Sequence, residues 1–397
     1  MTDRSTLGES AFRHVYELAA HIGPRPAGSP AERAAFDYAA GQLRAWGYQP
    51  QAQPITFAPA PRFSPLYASG GLALAAGGAL LAAAPWAALL AAPWIAVLPD
   101  VARAVIRRRP RTAASQNLLA FTAAPEPAPA AVDAPTLVLC AHMDSAPASA
   151  FRSRPLVWLH QNLMFAALRV AWGLAAVAAL SLLGLELPAL VRDLAGGLAL
   201  AVGGLWAGLE AAAQLLRGEQ YAPGAHDNAS GVGVLLAAAE QLAAQPPARL
   251  RVGFLFTGAE ETGLHGAEAQ APAWAGRRLA VLNVDMVGAG ETLRYITSDG
   301  AVRVRPTDPG LNEVINAACP QARGLAYSLR SGDFLPFLRH GVPAGALQTS
   351  GSAEAELAYH TLYDTTEVVE VPALGRTVQA VLDILAAADL RGYPEAV

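Results

Sequence analysis

The sequence predicts an α/β fold: a mixed, largely parallel sheet sandwiched by helices, interrupted by two inserted transmembrane helical hairpins. Three observations carry that expectation. Short, largely apolar runs at Thr136–Ala141, Val252–Phe256 and Leu279–Val284 have the length and character of strands buried on both faces. Each is followed within four residues by groups able to do chemistry, at His142, at Glu260-Glu261 and at Asp285. Two long apolar stretches interrupt the chain, one before the first of these strands and one between the first and the second.

Composition points the same way. Hydrophobic residues make up 53% of the chain and charged residues only 15%, with a mean hydropathy of +0.29, so part of it belongs in lipid. A net charge of −4 leaves no electrostatic footprint for nucleic acid, and no pattern sets the oligomeric state. Two cysteines, Cys140 and Cys319, cannot form a disulfide framework and suit a reducing compartment.

Residues 1–62 read as the first part of a catalytic domain. Met1 to Leu7 is polar and no apolar core follows, so no secretory leader is expected. A helix over Ser10–Ala20 leads to the rigid turn Gly23-Pro-Arg-Pro-Ala-Gly28-Ser29-Pro30, which ends in an N-cap and a first-turn proline. A second helix over Ala31–Trp46 is stopped by Gly47, and Ile55–Phe57 reads as a short strand.

Residues 63–100 form the first apolar hairpin. Phe63 to Pro99 has no charged residue, too long for one crossing of about 20 residues and suited to two short helices turning near Pro85. Small residues dominate it, as helix packing in lipid favours; an Ala-rich soluble core hairpin is the alternative. Arg103, Arg107, Arg108, Arg109 and Arg111 follow as a cytoplasmic anchor.

Residues 101–154 return to the catalytic domain. A strand over Gln116–Thr122 and a patternless Ala/Pro-rich connection precede the strand that ends in His142-Met-Asp144-Ser145. Residues 155–217 are the second hairpin, with uncharged cores at Val170–Leu185 and Leu194–Leu209, and with Arg169 either snorkelling or facing the bundle. The competing picture is one interfacial helix plus a re-entrant segment. From 218 to 397 the chain is an ordinary α/β domain without internal repeats.

His142, Asp227, Glu261, Asp285 and His360 are the candidate metal ligands. Four of the five lie where an apolar strand ends or a helix begins, and successive strand ends converge on one edge of a parallel sheet. Imidazole and carboxylate are the donors expected for zinc. Five are too many for one tetrahedral ion that keeps a position open, but suit two ions sharing a carboxylate, about 3.5 to 4 Å apart. Each residue also has a structural reading: His142 as a buried histidine, Asp227 as a helix cap, Glu260 and Glu261 as an acidic first turn, Asp285 in a turn, His360 exposed. Their order and company favour the functional one.

That order resembles the di-zinc exopeptidases related to aminopeptidase Y and the bacterial leucyl aminopeptidases. Their motifs stand here as His142-Met-Asp144, Asp227-Asn-Ala-Ser-Gly231, Glu260-Glu-Thr-Gly263, Asn283-Val-Asp285-Met286 and Tyr359-His-Thr361. Ile22-Gly-Pro-Arg-Pro-Ala-Gly-Ser29 is similar to that family's opening. The resemblance implies the zinc exopeptidase fold and two zinc ions bridged by Asp227, with His142 and Asp285 on one and Glu261 and His360 on the other. It implies further that Asp144 orients the His142 ring, that Glu260 is the general base, and that a cis peptide follows Asp227. Two departures stand out. Phe334 replaces a histidine of the soluble members, and the insertion between His142 and Asp227 resembles the multi-pass metallopeptidases of the endoplasmic reticulum.

His142 and Asp227 must share one site, so the insertion between them has to cross a bilayer an even number of times. The flanks on the catalytic side carry Arg62, Arg103, Arg107, Arg108, Arg109, Arg111, Arg152, Arg154 and Arg217, whereas the far turns carry Arg192 beside Asp193, which places the catalytic domain at the cytoplasmic face. The expected protein is a membrane-anchored aminopeptidase acting on peptides with a free N-terminus. A single-zinc glutaminyl-cyclase-like acyltransferase and a non-catalytic membrane scaffold of the same fold are the alternatives.

Overall fold

In the computed structural model the three apolar runs lie side by side at the centre of a nine-stranded sheet. The structure describes residues 3–59, 64–123, 135–216, 218, 220–300, 303–328 and 330–394. Arg62, Arg217 and most of the Ala/Pro-rich connection fall outside the described residues, as do the side chains of Arg103 and Arg107. The chain divides into two units: Met1–Pro59, Pro110–Ala148 and Gln220–Val397 form the first, Ala60–Arg109 and Ser149–Glu219 the second.

The strands of the first unit are β1 (Gln51–Phe57), β2 (Ala113–Phe121), β3 (Thr136–His142), β4 (Arg251–Thr257), β5 (Leu279–Val284), β6 (Thr292–Asp299), β7 (Arg305–Pro306), β8 (Arg323–Tyr327) and β9 (Ala344–Ser350). Their order is β1-β2-β4-β3-β5-β9-β6-β7, with β8 also paired to β6. The interior strands β4, β3, β5 and β9 are parallel, and antiparallel pairs flank them on both sides. Side chains alternate between two cores, as the two-residue repeat of a strand requires. Leu137, Leu139 and Ala141 join one cluster, covered by helices Arg4–Tyr16, Ser230–Ala244 and Val371–Arg391. Val138 and Cys140 join the other, under helices His265–Trp274 and Phe334–Arg339, where Trp274 stacks on Phe337 at 5.5 Å between ring centroids.

The N-terminal helix starts earlier than its sequence suggests. It runs over Arg4–Tyr16, with a π-helical turn to Ile22, because Leu7, Ala11 and Val15 share one buried face despite the polar residues around Leu7. Strand β8 carried no readable signal: its side chains are largely exposed and do not alternate.

The second unit contains four helices among its described residues: Ser64–Leu80, Pro85–Arg108, Arg154–Leu182 and Ala189–Leu216. The first apolar block turns just before Pro85. The second block forms two continuous helices of 29 and 28 residues, each about 40 Å long. Pro85–Ile106, Arg154–Leu182 and Ala189–Leu216 are long and apolar enough to be candidate membrane spans. Val371–Arg391 also qualifies by composition, yet its apolar face lies in the core of the first unit.

Large exposed apolar side chains concentrate in the second unit, among them Leu72, Trp86, Trp158, Trp172, Leu183 and Leu194. Its helices approach closely through glycine: a Cβ on Gly78 would stand 2.5 Å from Gly196 O, and one on Gly71 2.7 Å from Gly203 O. Arg169 is exposed rather than turned into the bundle. Glu210, the buried acid of this unit, is met by His160 Nε2 at 3.2 Å and by the Trp206 indole N–H at 3.3 Å.

Candidate active site

Strand register sets the site. His142 at the end of β3 pairs with Thr257 at the end of β4, and Cys140 with Asn283 of β5, so the residues after these strands emerge together at the carboxyl edge of the sheet. His142 Nε2 lies 3.1 Å from Asp227 Oδ1 and 3.8 Å from Asp285 Oδ1. His360 Nε2 lies 3.2 Å from Asp227 Oδ2 and 3.2 Å from Glu261 Oε2. Asp227 therefore stands between two imidazoles, one on each carboxylate oxygen. All five candidate ligands meet in one place, although the sequence scatters them from 142 to 360.

The segment around Asp227 is tied to the end of β5 by its own neighbours. Asn228 donates from Nδ2 to Val284 O at 3.0 Å, and its Oδ1 accepts the N–H of Gly231 at 2.9 Å and of Met286 at 3.3 Å. Ser230 Oγ donates to His226 O and accepts from the Val287 N–H. A Cβ at Gly231 would collide with Val284 O, which explains glycine there. The peptide between Asp227 and Asn228 is cis. Sharp turns present the other residues: Ala259, Met286 and His360 have φ of 56°, 52° and 54°, a left-handed conformation that concentrates at functional sites.

Asp144 sits differently from its expected position. The His142 Nδ1 is 3.0 Å from the Asp144 backbone oxygen but 3.7 Å from its carboxylate. Instead the carboxylate accepts the backbone N–H groups of Glu260 at 3.0 Å and Glu261 at 3.1 Å. Beside them, loss of solvent pushes the Glu260 carboxyl well above the usual range, against the pull of His142.

Several residues that sequence reasoning passed over hold this arrangement. Arg25, almost fully buried, donates to the backbone oxygens of Leu18, Gly23, Met143, Pro223 and Gly224, clamping the segments that carry Asp144 and Asp227. Glu32 accepts from the N–H groups of Gly28 and Ala259 and from Ser115 Oγ, fixing the residue before Glu260; burial pushes its carboxyl up to about 7. Asp364 receives the N–H groups of His226 at 2.6 Å and Asp227 at 3.1 Å. Asp333 is buried and bonded to Thr257 Oγ1, while Phe334 after it is buried in the core behind the site. The only hint of Glu32 in the sequence is the capping pattern Ser29-Pro-Ala-Glu32.

The cluster demands positive charge. Burial by itself would lower both histidines, yet the surrounding carboxylates, led by Glu260 for His142 and by Glu261 for His360, hold His142 well above its ordinary value and raise His360 to about 10. Asp227 is held well below the carboxylate range by the same two rings, against its burial. Glu261 Oε1 and Asp285 Oδ1 are buried without a hydrogen-bond partner, a costly state for lone pairs unless a cation faces them. Ligand atoms of His142, Asp227 and Glu261 lie within 4.8 Å of one another. Imidazole with carboxylate, closely spaced and short of cations, suits a divalent ion of zinc's character.

Solved structures share this α/β fold. The chain is similar to a leucine aminopeptidase precursor from Bacteroides thetaiotaomicron, with 16% identity, 96% of each chain covered and a TM-score of 0.55. It is similar to the zinc aminopeptidase BSAP from Bacillus subtilis, with 15% identity, 98% of this chain and 97% of the other covered and a TM-score of 0.55. A glutaminyl cyclase from Porphyromonas gingivalis shares the fold as well, with 17% identity, coverage of 95% and 97%, and a TM-score of 0.53. Residues 211–385 match the model of peptidase family M28, a span that includes Asp227, Glu260, Glu261, Asp285 and His360 but not His142 or Asp144. No curated protein matches the sequence.

Proposed function

We propose that this protein is a membrane-anchored, two-zinc aminopeptidase acting on peptides with a free N-terminus. The placement of Asp227, with one carboxylate oxygen toward His142 and the other toward His360, carries the reading. In it Asp227 would be shared between the two ions, with His142 and Asp285 holding one and Glu261 and His360 the other. When bound, the zinc ions polarise the scissile carbonyl and make water acidic enough to attack near neutral pH. Glu260, beside the ligands, takes the proton from the attacking water and returns it to the leaving amine. Asp144 holds the backbone from which Glu260 and Glu261 project, so the base and the ligand keep their spacing.

The second unit serves as the anchor, two hairpins crossing the bilayer in the manner of the multi-pass metallopeptidases of the endoplasmic reticulum. Its exposed tryptophans and leucines support that reading, and the arginines beside the first hairpin favour a cytoplasmic catalytic unit.

Metal content of the detergent-purified protein, measured by elemental analysis after exchange through zinc-containing and then metal-free buffer, is the test. Two ions per chain are expected, together with cleavage of free but not N-blocked peptides. One ion per chain with cyclisation of N-terminal glutamine would replace the reading with the acyltransferase, and no bound metal would leave a scaffold.

A further inference from the structure

The open side of the site is marked by exposure. His142, Asp227 and Glu261 are 2%, 7% and 7% exposed at their side chains, whereas His360 is 36% exposed, so substrate reaches the ligands past His360. The Tyr359 ring stacks on His360 with centroids 3.8 Å apart and an angle of 23° between planes. Arg330 in turn lies over Tyr359, its guanidinium carbon 4.4 Å from the ring centroid. Arg330 is half-buried, and among the described residues no carboxylate pairs with it. Among the described residues this cation has the Tyr359 ring beside it but no carboxylate, in a site otherwise crowded with acids.

We infer that Arg330 binds a carboxylate carried by the residue that follows the scissile bond, which makes dipeptides and other very short peptides the preferred substrates. The inference rests on the peptidase reading above. One residue of extended chain spans about 3.5 Å and a charge-assisted N–H···O bond adds about 2.8 Å. That reach, about 6 Å from the carbonyl, is comparable to the single aromatic ring that separates Arg330 from His360. With its carbon over the Tyr359 ring, the planar fork can offer two parallel bonds to such a group. The carboxylate is either the C-terminus of a dipeptide or an acidic side chain in the same position.

Zinc-loaded full-length protein in detergent would be assayed with Leu-Leu, Leu-Leu-amide and Leu-Asp-amide, and binding of the same peptides would be followed by calorimetry in the Glu260→Gln background. At least about a tenfold preference for a carboxylate-bearing peptide over Leu-Leu-amide is expected, falling to near unity in Arg330→Gln and held between the two in Arg330→Lys, which keeps the charge without the fork. Preference for Leu-Leu identifies the C-terminal carboxylate, and preference for Leu-Asp-amide the side chain. Equal handling of Leu-Leu-amide and both acids, or a preference untouched by Arg330→Gln, overturns the inference while leaving the peptidase reading in place. Carboxylate-dependent binding with no cleavage of any peptide keeps Arg330 and removes the peptidase reading.

Discussion

The carboxylate of Asp144 accepts the backbone N–H of Glu260 at 3.0 Å on one oxygen, and the neighbouring N–H of Glu261 at 3.1 Å on the other. One buried acid thus orders a loop from which two further acids project. Replacing it by asparagine leaves one acceptor oxygen and turns an NH2 toward the second N–H, a loss of about 1–3 kcal/mol in buried hydrogen bonding. Asp144→Asn is expected to weaken zinc binding about 10–100-fold, measured by competition with a chromogenic chelator. Wild-type affinity in that variant would show that the clamp does not control the ligands.

Glu260→Gln keeps the shape of the side chain and removes its basicity. Turnover should fall by about 10²–10⁴-fold, the usual contribution of a positioned base, while zinc content per chain stays at the wild-type value. Unimpaired turnover would remove Glu260 from the mechanism.

His14 offers a pH test away from the site. Burial, with Arg13 adding to it, pushes its imidazole down to about 4 from 6.5; its Nδ1 is 2.7 Å from the Tyr38 hydroxyl and its Nε2 has no partner. Between those values the unfolded chain binds a proton that the folded chain refuses. The stabilisation is therefore complete above about 6.5 and is lost as pH falls toward 4, roughly 3 kcal/mol in all. His14→Phe should show a smaller drop in melting temperature between pH 7 and pH 4.5 than the wild type; parallel curves would contradict this.

Gly78 and Gly197 make a matched pair in the second unit. A Cβ on Gly78 meets Gly196 O at 2.5 Å and the Ala199 Cβ at 2.9 Å, whereas one on Gly197 meets nothing within 4 Å. Gly78→Val should destabilise the detergent-solubilised protein by about 1–3 kcal/mol, seen as a lower melting temperature, and Gly197→Val should change little. Equal effects would mean that the helices do not pack through Gly78.

Local pattern alone marked the interior strands, the apolar hairpins and the acids and histidines that follow the strands. A strand repeats every two residues and a helix every 3.6, so β3, β4 and β5 declare themselves through their own side chains, and a residue just past a buried parallel strand must emerge at the sheet edge. Tertiary structure decided the rest. Arg25 is recognisable only once the oxygens of Met143, Pro223 and Gly224 surround it, Asp364 only once the N–H groups of His226 and Asp227 point at it, and Asp144 only once its carboxylate faces Glu260 and Glu261 rather than His142. These named partners are main-chain groups more than a hundred residues away, and main-chain groups are the same in every residue. No local signal can announce such a pairing, because it exists only where folding has left a backbone donor or acceptor buried and unmatched.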